Sequence, residues 1–145
     1  MNISYNSLFD AKLKQCMIVK RLYLNPMLRI SDVATAIGTN RTYLSYYLNK
    51  QLCVSFYDFI NHYRVMESCE LLNGKSNVDL QEVAELSGFN SMSTFYRSFL
   101  KVMKITPVQY RNNQRIAVWL KKLLHWHLLL HFYKAISKTS RKFVN

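Results

Sequence analysis

Hydrophobic residues recur at steps of three or four along most of the chain, the spacing that places side chains on one face of an α-helix. The longest such stripe covers about five helical turns in the middle of the sequence. Its members are Phe56, Phe59, Tyr63, Met66, Cys69 and Leu72. Ser55 and Asp58 resemble a capping box at its start, and Gly74 closes it. The pattern predicts a long helix over residues 55–73.

Two shorter helix pairs flank this helix, and they share one pattern of apolar, small and glycine positions. At an offset of fifty, the matches are Ile30 with Leu80, Asp32 with Glu82, Val33 with Val83, Ala34 with Ala84 and Gly38 with Gly88. After one inserted residue the matches are Leu44 with Phe95, Leu48 with Phe99, Lys50 with Lys101, Ser55 with Thr106 and Phe59 with Tyr110. This agreement in register predicts an internal repeat of two helix-turn-helix units.

Helical signals also occur outside the repeat. Apolar positions over 8–24 form a rough helical stripe, and Asn25-Pro26 breaks it because the residue before a proline avoids helical angles. Pro107 suits the first position of a short helix, and the Leu-, Trp- and His-rich segment 116–136 is interpreted as one more helix. With only three glycines and two prolines, an all-α fold is favoured over a β-rich one.

Charge is distributed unevenly along the chain. The formal net charge is +12, and every acidic residue lies at or before Glu85. Residues 1–85 carry nine Lys or Arg and eight acids, whereas residues 86–145 carry eleven Lys or Arg and no acid. Such a one-sided positive field suits a polyanion, either nucleic acid or an anionic membrane.

The cysteines indicate a reducing compartment. Cys16, Cys53 and Cys69 are odd in number and scattered, and they fit neither a zinc spacing nor a disulfide framework. We therefore expect reduced thiols in a cytoplasm. No signal peptide is expected, and the longest uncharged apolar-rich run, 123–133, is shorter than the ~20 residues that span a bilayer.

Motifs of catalysis are missing from the sequence. It contains no Gly-rich phosphate loop, no HExxH and no paired catalytic carboxylates. His127 and His131 are four residues apart, but no carboxylate or cysteine lies near them in sequence. We therefore expect neither an enzyme nor a metal or other cofactor.

The repeated unit instead has the layout of a helix pair that reads DNA. Ala34 and Ala84 let the two helices of each unit approach closely, and the glycine after each allows a sharp turn. The second helix can then protrude into the major groove, which is roughly 12 Å wide. Its outer face offers Arg41, Thr42, Ser45 and Tyr46 in the first copy, and Met92, Ser93, Tyr96 and Arg97 in the second. Tyr43, Phe95 and Phe99 are expected in the core.

These residues resemble the C-terminal DNA-binding domain of AraC/XylS-type bacterial transcription regulators. The second copy carries the family signature nearly throughout, in Glu82-Val83-Ala84, Ser87-Gly88-Phe89-Asn90-Ser91, Phe95-Tyr96-Arg97-Ser98-Phe99, Thr106-Pro107 and Tyr110-Arg111. The first copy matches over 32–45, as does Phe59-Ile60-Asn61-x-Tyr63-Arg64 of the long helix. The resemblance covers roughly residues 23–112.

The resemblance implies seven helices, with two helix-turn-helix units on a rigid linker helix and both recognition helices in successive major-groove segments of one DNA face. It implies base-edge contacts at Thr42, Ser45, Tyr46, Met92, Ser93 and Arg97. It implies phosphate contacts at Arg41, Ser91, Tyr96 and Lys101. We expect further phosphate contacts at Lys50, Lys104 and Arg111. From the residues alone, the three lysines could equally be solvated surface charges. RNA polymerase is a further partner that the resemblance implies.

Four positions depart from the family pattern. Tyr46 stands where an arginine is common, so a bidentate guanine contact is missing from the first unit. Leu100 replaces a usual lysine. Cys53 and Lys104 stand where the family usually has glycine, and a left-handed backbone there costs ~1 kcal/mol each. We therefore expect the second unit to anchor specificity, and the first to add affinity.

The chain is expected to have three parts. These are a partly helical N-terminal segment (1–22), the DNA-binding domain (23–113, with units at about 29–51 and 79–112) and a basic Leu/His-rich tail (114–145). No sensory domain is visible, which suggests a small stand-alone regulator or a fragment of a longer one. The tail could pack on the domain, pair with another chain, lie on a membrane as a basic amphipathic helix, or stem from a truncated or frame-shifted gene. The alternative function is thus a basic helical interaction protein or a membrane-surface-associated one.

Overall fold

The structure is a computed structural model that describes residues 2–74 and 78–113, with side chains described from Leu8 onward. Seven α-helices form its framework. They are α1 (Asn2–Lys14), α2 (Ile30–Ile37), α3 (Arg41–Tyr46), α4 (Phe56–Gly74), α5 (Leu80–Leu86), α6 (Met92–Met103) and α7 (Pro107–Asn112). These two stretches contain no strand, so the all-α prediction is confirmed for them. The predicted helix over 116–136, with His127 and His131, lies outside the described residues.

The N-terminal helix ends earlier than its apolar stripe predicts. α1 continues into a wider π-helical turn over Gln15–Val19, and a 3-10 turn follows over Leu22–Leu24. Between them Arg21 takes a left-handed φ of 50°, which interrupts the helix. The Arg21 side chain pairs with Glu67 of α4 and donates to the Tyr23 hydroxyl at 3.2 Å. The contact with Glu67 joins residues of two distant elements, so the local apolar pattern does not contain it.

Two hydrophobic cores lie along α4. The first combines α1, α2, α3 and the start of α4. Its buried members include Phe9, Leu13, Met17, Val33, Leu44, Leu48 and Ile60. The second combines the end of α4 with α5, α6 and α7. Its buried members include Val65, Leu72, Val83, Phe95, Phe99, Met103 and Tyr110. Burying one large apolar side chain contributes about 1.5–3 kcal/mol to the free energy of unfolding. These buried side chains therefore anchor the second helix of each unit on its core.

The structure confirms the internal repeat at its buried positions. Val33 and Val83 are fully buried, and so are Leu44 and Phe95. Tyr43 packs partly buried against the first core. Phe99 is also fully buried, so the three aromatic residues expected in the core lie there.

The repeat extends to the backbone. Asn40 and Ser91 each cap the second helix of their unit by accepting a backbone N–H, as Ser55 and Thr106 do for α4 and α7. Gly38 and Gly88 take φ values of 74° and 87°. Cys53 and Lys104 are left-handed as well, at 54° and 62°. The conformation expected from the family's glycines is therefore kept without them.

Arg64 joins the segment before α2 to the linker helix α4. It is only 8% exposed, and its Nε donates to the Tyr23 carbonyl at 2.8 Å. Its Nη2 donates to the Asn25 carbonyl at 2.8 Å, and its guanidinium lies 5.8 Å from the centre of the Phe89 ring. Burial lowers the pKa of Arg64 below its usual value. One side chain thus contacts the loop before α2 and the turn between α5 and α6.

Gly88 lies in the same α5–α6 turn and is in close contact with Tyr23 and Leu24. A Cβ built at Gly88 would lie 2.5 Å from the Tyr23 carbonyl oxygen and 2.9 Å from Leu24 Cα. A side chain therefore has no room there. Gly38, at the equivalent position of the first unit, meets only the Lys12 ammonium nitrogen, at 3.9 Å. The glycine of the second unit therefore allows a close contact with the 3-10 turn before α2 as well as a turn of its own.

Candidate nucleic-acid interface

α6 has one buried and one exposed face. Phe95, Phe99 and Met103 are fully buried beneath the helix. The opposite face exposes Ser93, Arg97, Leu100, Lys101 and Lys104. Ser91 accepts the Thr94 backbone N–H at 3.2 Å and so fixes the start of the helix. The exposed face combines two hydroxyl or guanidinium donors with two ammonium groups, which suits base edges and phosphates together.

α3 repeats this arrangement in a shorter form. Leu44 and Leu48 are buried, and Arg41, Thr42, Tyr46 and Lys50 are exposed, with Tyr46 56% exposed. The helix changes to a π-helical turn at Tyr47, so its last turn is wider than that of α6. Tyr47 is buried and donates a hydrogen bond to Asp10 of α1. Burial and this bond raise the pKa of Tyr47 above the usual 10.0.

Most residues predicted to contact DNA lie on the exposed faces of α3 and α6 or at their ends. Those exposed are Arg41, Thr42, Tyr46, Lys50, Ser91, Ser93, Arg97, Lys101 and Lys104. Four others, Ser45, Met92, Tyr96 and Arg111, are half-buried.

The half-buried residues have protein contacts that the sequence pattern did not reveal. Met92 and Tyr96 pack against the second core, and Tyr96 meets Phe95 edge to face at 5.7 Å. The Ser45 hydroxyl lies 3.3 Å from the Asn49 amide nitrogen. Arg111 donates to the Val78 carbonyl at 3.3 Å. Each therefore offers only part of its side chain to an outside ligand, and Arg111 braces α7 against the segment before α5.

Lys101 has an acidic partner. Its Nζ lies 2.6 Å from Asp58 Oδ1 in the first turn of α4. The Ser55 hydroxyl donates to the other carboxylate oxygen at 2.9 Å. Lys101 and Ser55 hold the pKa of Asp58 below its usual 3.8. No local pattern indicates this pair, because its members lie 43 residues apart.

Positive charge is concentrated on the second helix of each unit. Neither α3 with its π-helical turn nor α6 contains Asp or Glu. The acids of the two units lie on the first helices or at their start, with Asp32 on α2, Asp79 just before α5, and Glu82 and Glu85 on α5. A polyanion that approaches the exposed faces of α3 and α6 therefore meets cations on the helices themselves.

A cleft of about 320 Å³ lies beside Arg97, between α6 and the first half of α4. Asn61, Asn90 and the strongly exposed Tyr57 help to line it. Hydrophobic periodicity could not locate it, because its walls come from the loop before α2, from α4 and from the α5–α6 turn. Its polar lining next to Arg97 adds hydrogen-bonding groups to the same surface.

The described ranges contain neither a metal-ligand group nor a membrane-spanning helix. Residues 2–74 and 78–113 contain no group of three or more His, Cys, Asp or Glu side chains that could hold a metal ion. Within the same ranges, no helix is both long enough and apolar enough to cross a membrane.

Known proteins share this sequence pattern. A family model described as a helix-turn-helix domain matches residues 33–113. Regulatory protein PocR of Salmonella typhimurium is 28% identical over 102 residues, which make up 70% of this chain and 33% of PocR. The uncharacterized HTH-type transcriptional regulator YtdP of Bacillus subtilis is 28% identical over 88 residues, which make up 61% of this chain and 11% of YtdP. The chain thus spans a third or less of the length of these relatives.

Solved structures share the fold. The C-terminal domain of the two-component response regulator yesN from Fusobacterium nucleatum aligns with a TM-score of 0.59 at 27% identity, covering 70% of this chain and 98% of that one. The C-terminal domain of AraT, a response regulator from Geobacillus stearothermophilus, aligns with a TM-score of 0.61 at 24% identity, covering 73% and 84%. The family match over more than half of the chain, on a framework of two repeated helix pairs, shows that this protein belongs to the AraC/XylS-type helix-turn-helix family of transcription regulators.

Proposed function

We propose that this chain binds a bipartite site on double-stranded DNA and regulates transcription in the bacterial cytoplasm. α3 and α6 enter successive major-groove segments on one face of the duplex. One observation carries the proposal: two repeat-related helices, both free of acidic residues, expose their polar faces from a frame tied together by Arg64 and Gly88.

The exposed residues divide by chemistry into base and phosphate contacts. Arg97 has the planar guanidinium that suits bidentate binding of guanine, and Ser93, Thr42 and Tyr46 offer hydroxyl groups. Arg41, Lys50, Ser91, Lys101 and Lys104 supply donors to phosphate oxygens.

The half-buried residues take smaller roles in the proposed interface. Met92, Tyr96 and Ser45 contribute the edges that remain accessible. Arg111 acts mainly through the α7 brace, because its guanidinium already donates to the Val78 carbonyl.

The two units contribute unequally. Only the second has an arginine on the exposed face at the position where the first has Tyr46. We expect α6 to provide most of the discrimination between sequences, and α3 to provide affinity with a looser preference. A transcription regulator of this kind is also expected to meet RNA polymerase at its target promoters.

The test compares Arg97→Ala with Lys50→Ala in fluorescence-anisotropy titrations on a selected duplex and on a random one. Arg97→Ala should weaken binding to the selected duplex by about 10- to 100-fold and leave the random duplex nearly unchanged. Lys50→Ala should weaken both duplexes alike, and should reduce the slope of log affinity against log salt by about 0.9.

The proposal fails if the wild-type chain binds neither random nor genomic duplexes at low salt. If the two variants affect both duplexes equally, DNA binding stands but the assignment of Arg97 to bases is wrong. Gln81→Ala, on the exposed side of α5, serves as a matched surface control.

A further inference from the structure

Lys101 differs from the other cations on the second helices. Its ammonium group lies 2.6 Å from the Asp58 carboxylate, on a different helix. Lys50, its counterpart in the first unit, has no ion pair within the described ranges. The two lysines occupy equivalent positions of the repeat, but in the described part of the free protein Lys101 is paired with a carboxylate and Lys50 is not.

The negative charge at Asp58 is not required for its helix cap. Asp58 corresponds to Gln109, because the Ser55 and Thr106 hydroxyls each accept the backbone N–H three residues on and donate to the side chain of that residue. Gln109 accepts the Thr106 hydroxyl at 3.1 Å, as Asp58 accepts the Ser55 hydroxyl at 2.9 Å, and it does so without charge. A neutral side chain therefore performs the same local task in the second unit. The negative charge of Asp58 is therefore not needed for the helix cap, and its ion-pair partner is Lys101.

We infer that Asp58 stands in for a DNA phosphate at Lys101, so that the carboxylate and the DNA backbone compete for one ammonium group. The inference rests on the proposed function. In the free protein Asp58 neutralises Lys101, and on DNA a phosphate replaces it. Asp58 therefore sets the affinity for any duplex, and in particular limits binding that does not depend on sequence.

The exposure of the pair makes this exchange possible. The side chains are 63% exposed for Lys101 and 43% for Asp58, so water reaches both. Exposed ion pairs contribute little net stability, and Lys101 can leave Asp58 at small cost. The ammonium stem is long and flexible, which allows a new partner without a change in the backbone of α6.

The rival explanation is that the pair acts as a strut that orients α6 for DNA. The two explanations predict opposite signs for one substitution. If Asp58 competes with phosphate, Asp58→Asn frees Lys101 and tightens DNA binding. If Asp58 is a strut, the same change loosens α6 and weakens binding.

The experiment measures duplex affinity across a salt series for the full chain and for Asp58→Asn. We expect binding to selected and random duplexes to tighten by about two- to fivefold at 0.1 M salt, the range that an exposed ion pair contributes. The slope of log affinity against log salt should steepen by up to about 0.9, because Lys101 becomes a complete phosphate contact. Asp58→Gln introduces the residue type found at position 109, and it should tighten binding in the same way as Asp58→Asn.

A double-mutant cycle separates competition from a general gain of charge. In a Lys101→Ala background, Asp58→Asn should leave affinity unchanged. Glu82→Gln removes one negative charge from the exposed side of α5, so it serves as the charge-matched control and should tighten binding less.

Weaker or unchanged binding by Asp58→Asn and Asp58→Gln would overturn the inference. So would a gain that persists without Lys101, or that Glu82→Gln reproduces in full. If the wild-type chain binds no duplex, the proposed function itself fails, which is a distinct result. Thermal unfolding of each variant confirms that affinities are compared between folded proteins.

Discussion

Substituting each of the three glycines by alanine is the sharpest test of how the two units are held together. Gly38 and Gly88 occupy equivalent turns of the repeat with similar left-handed φ angles of 74° and 87°. A Cβ at Gly88 would approach the Tyr23 carbonyl oxygen to 2.5 Å, whereas a Cβ at Gly38 would lie at an ordinary contact distance of 3.9 Å from the Lys12 ammonium nitrogen. Gly74 ends α4, and a methyl group added there would have none of the described residues within 4 Å.

The expected changes in the free energy of unfolding follow from these surroundings. Alanine with a left-handed backbone costs about 1 kcal/mol, which is the whole cost at Gly38. At Gly88, the forced displacement of backbone atoms adds about 1–3 kcal/mol, as overpacking of a core does. Gly74→Ala should be neutral or stabilise by up to about 1 kcal/mol, because it removes backbone freedom from the unfolded chain.

Urea unfolding followed by circular dichroism measures all three variants under the same conditions. Gly88→Ala should lose about 2–4 kcal/mol and Gly38→Ala about 1 kcal/mol. For a domain of roughly 100 residues, 1 kcal/mol corresponds to a shift of about 4–8 °C in Tm. Equal losses at Gly38 and Gly88 would refute the idea that the α5–α6 turn packs against Tyr23 and Leu24.

Three more predictions concern single side chains. Cys53→Gly and Lys104→Gly should each raise the free energy of unfolding by about 1 kcal/mol in urea titrations, because both residues have a left-handed backbone. An unchanged free energy of unfolding in both variants would contradict the idea that this backbone conformation is strained. Arg64→Met should cost about 2–5 kcal/mol in the same assay, since the Tyr23 and Asn25 carbonyls lose their donor. A loss below about 1 kcal/mol would show that these hydrogen bonds do not hold the segment before α2 to α4. The pKa of Asp58 is lower in the folded protein than its usual 3.8, so its stabilising contribution is present above about pH 4 and disappears as pH falls through the lower folded value. Asp58→Asn should therefore flatten the loss of stability between about pH 5 and pH 2, and an unchanged profile would argue against the pair with Lys101.

Helical periodicity in the sequence was sufficient to predict the helices that bury one face. Leu44 and Phe95 could be placed in the core because their spacing repeats with the helical period and recurs in both units. α4 begins and ends within one residue of the predicted 55–73. The left-handed angles of Cys53 and Lys104 followed from their positions after each recognition helix, since a turn of fixed geometry imposes its angles on whichever residue stands there.

Contacts between residues far apart in the sequence determine the burial and the partners of side chains that helical periodicity could not predict. Arg64 would ordinarily be placed at the surface, yet it is buried because two carbonyls 39 and 41 residues away accept its hydrogen bonds. Helical phase places Met92 on the outer face of α6, and its contact with the second core limits that exposure. The sequence pattern assigns Lys101 only to water or phosphate, because nothing local points to Asp58. In each case the deciding partner belongs to another element.

The most direct test of bipartite DNA binding is selection of bound duplexes from random DNA, followed by a change in the spacing of the selected site. A rigid frame that places α3 and α6 on one face of DNA predicts a bipartite site with centres about one helical turn, ~10 bp, apart. Inserting about five base pairs, half a helical turn, moves one half-site to the opposite face, and binding should then fall close to that of random DNA. A single selected half-site, or full affinity after the insertion, would contradict a rigid frame that uses both helices.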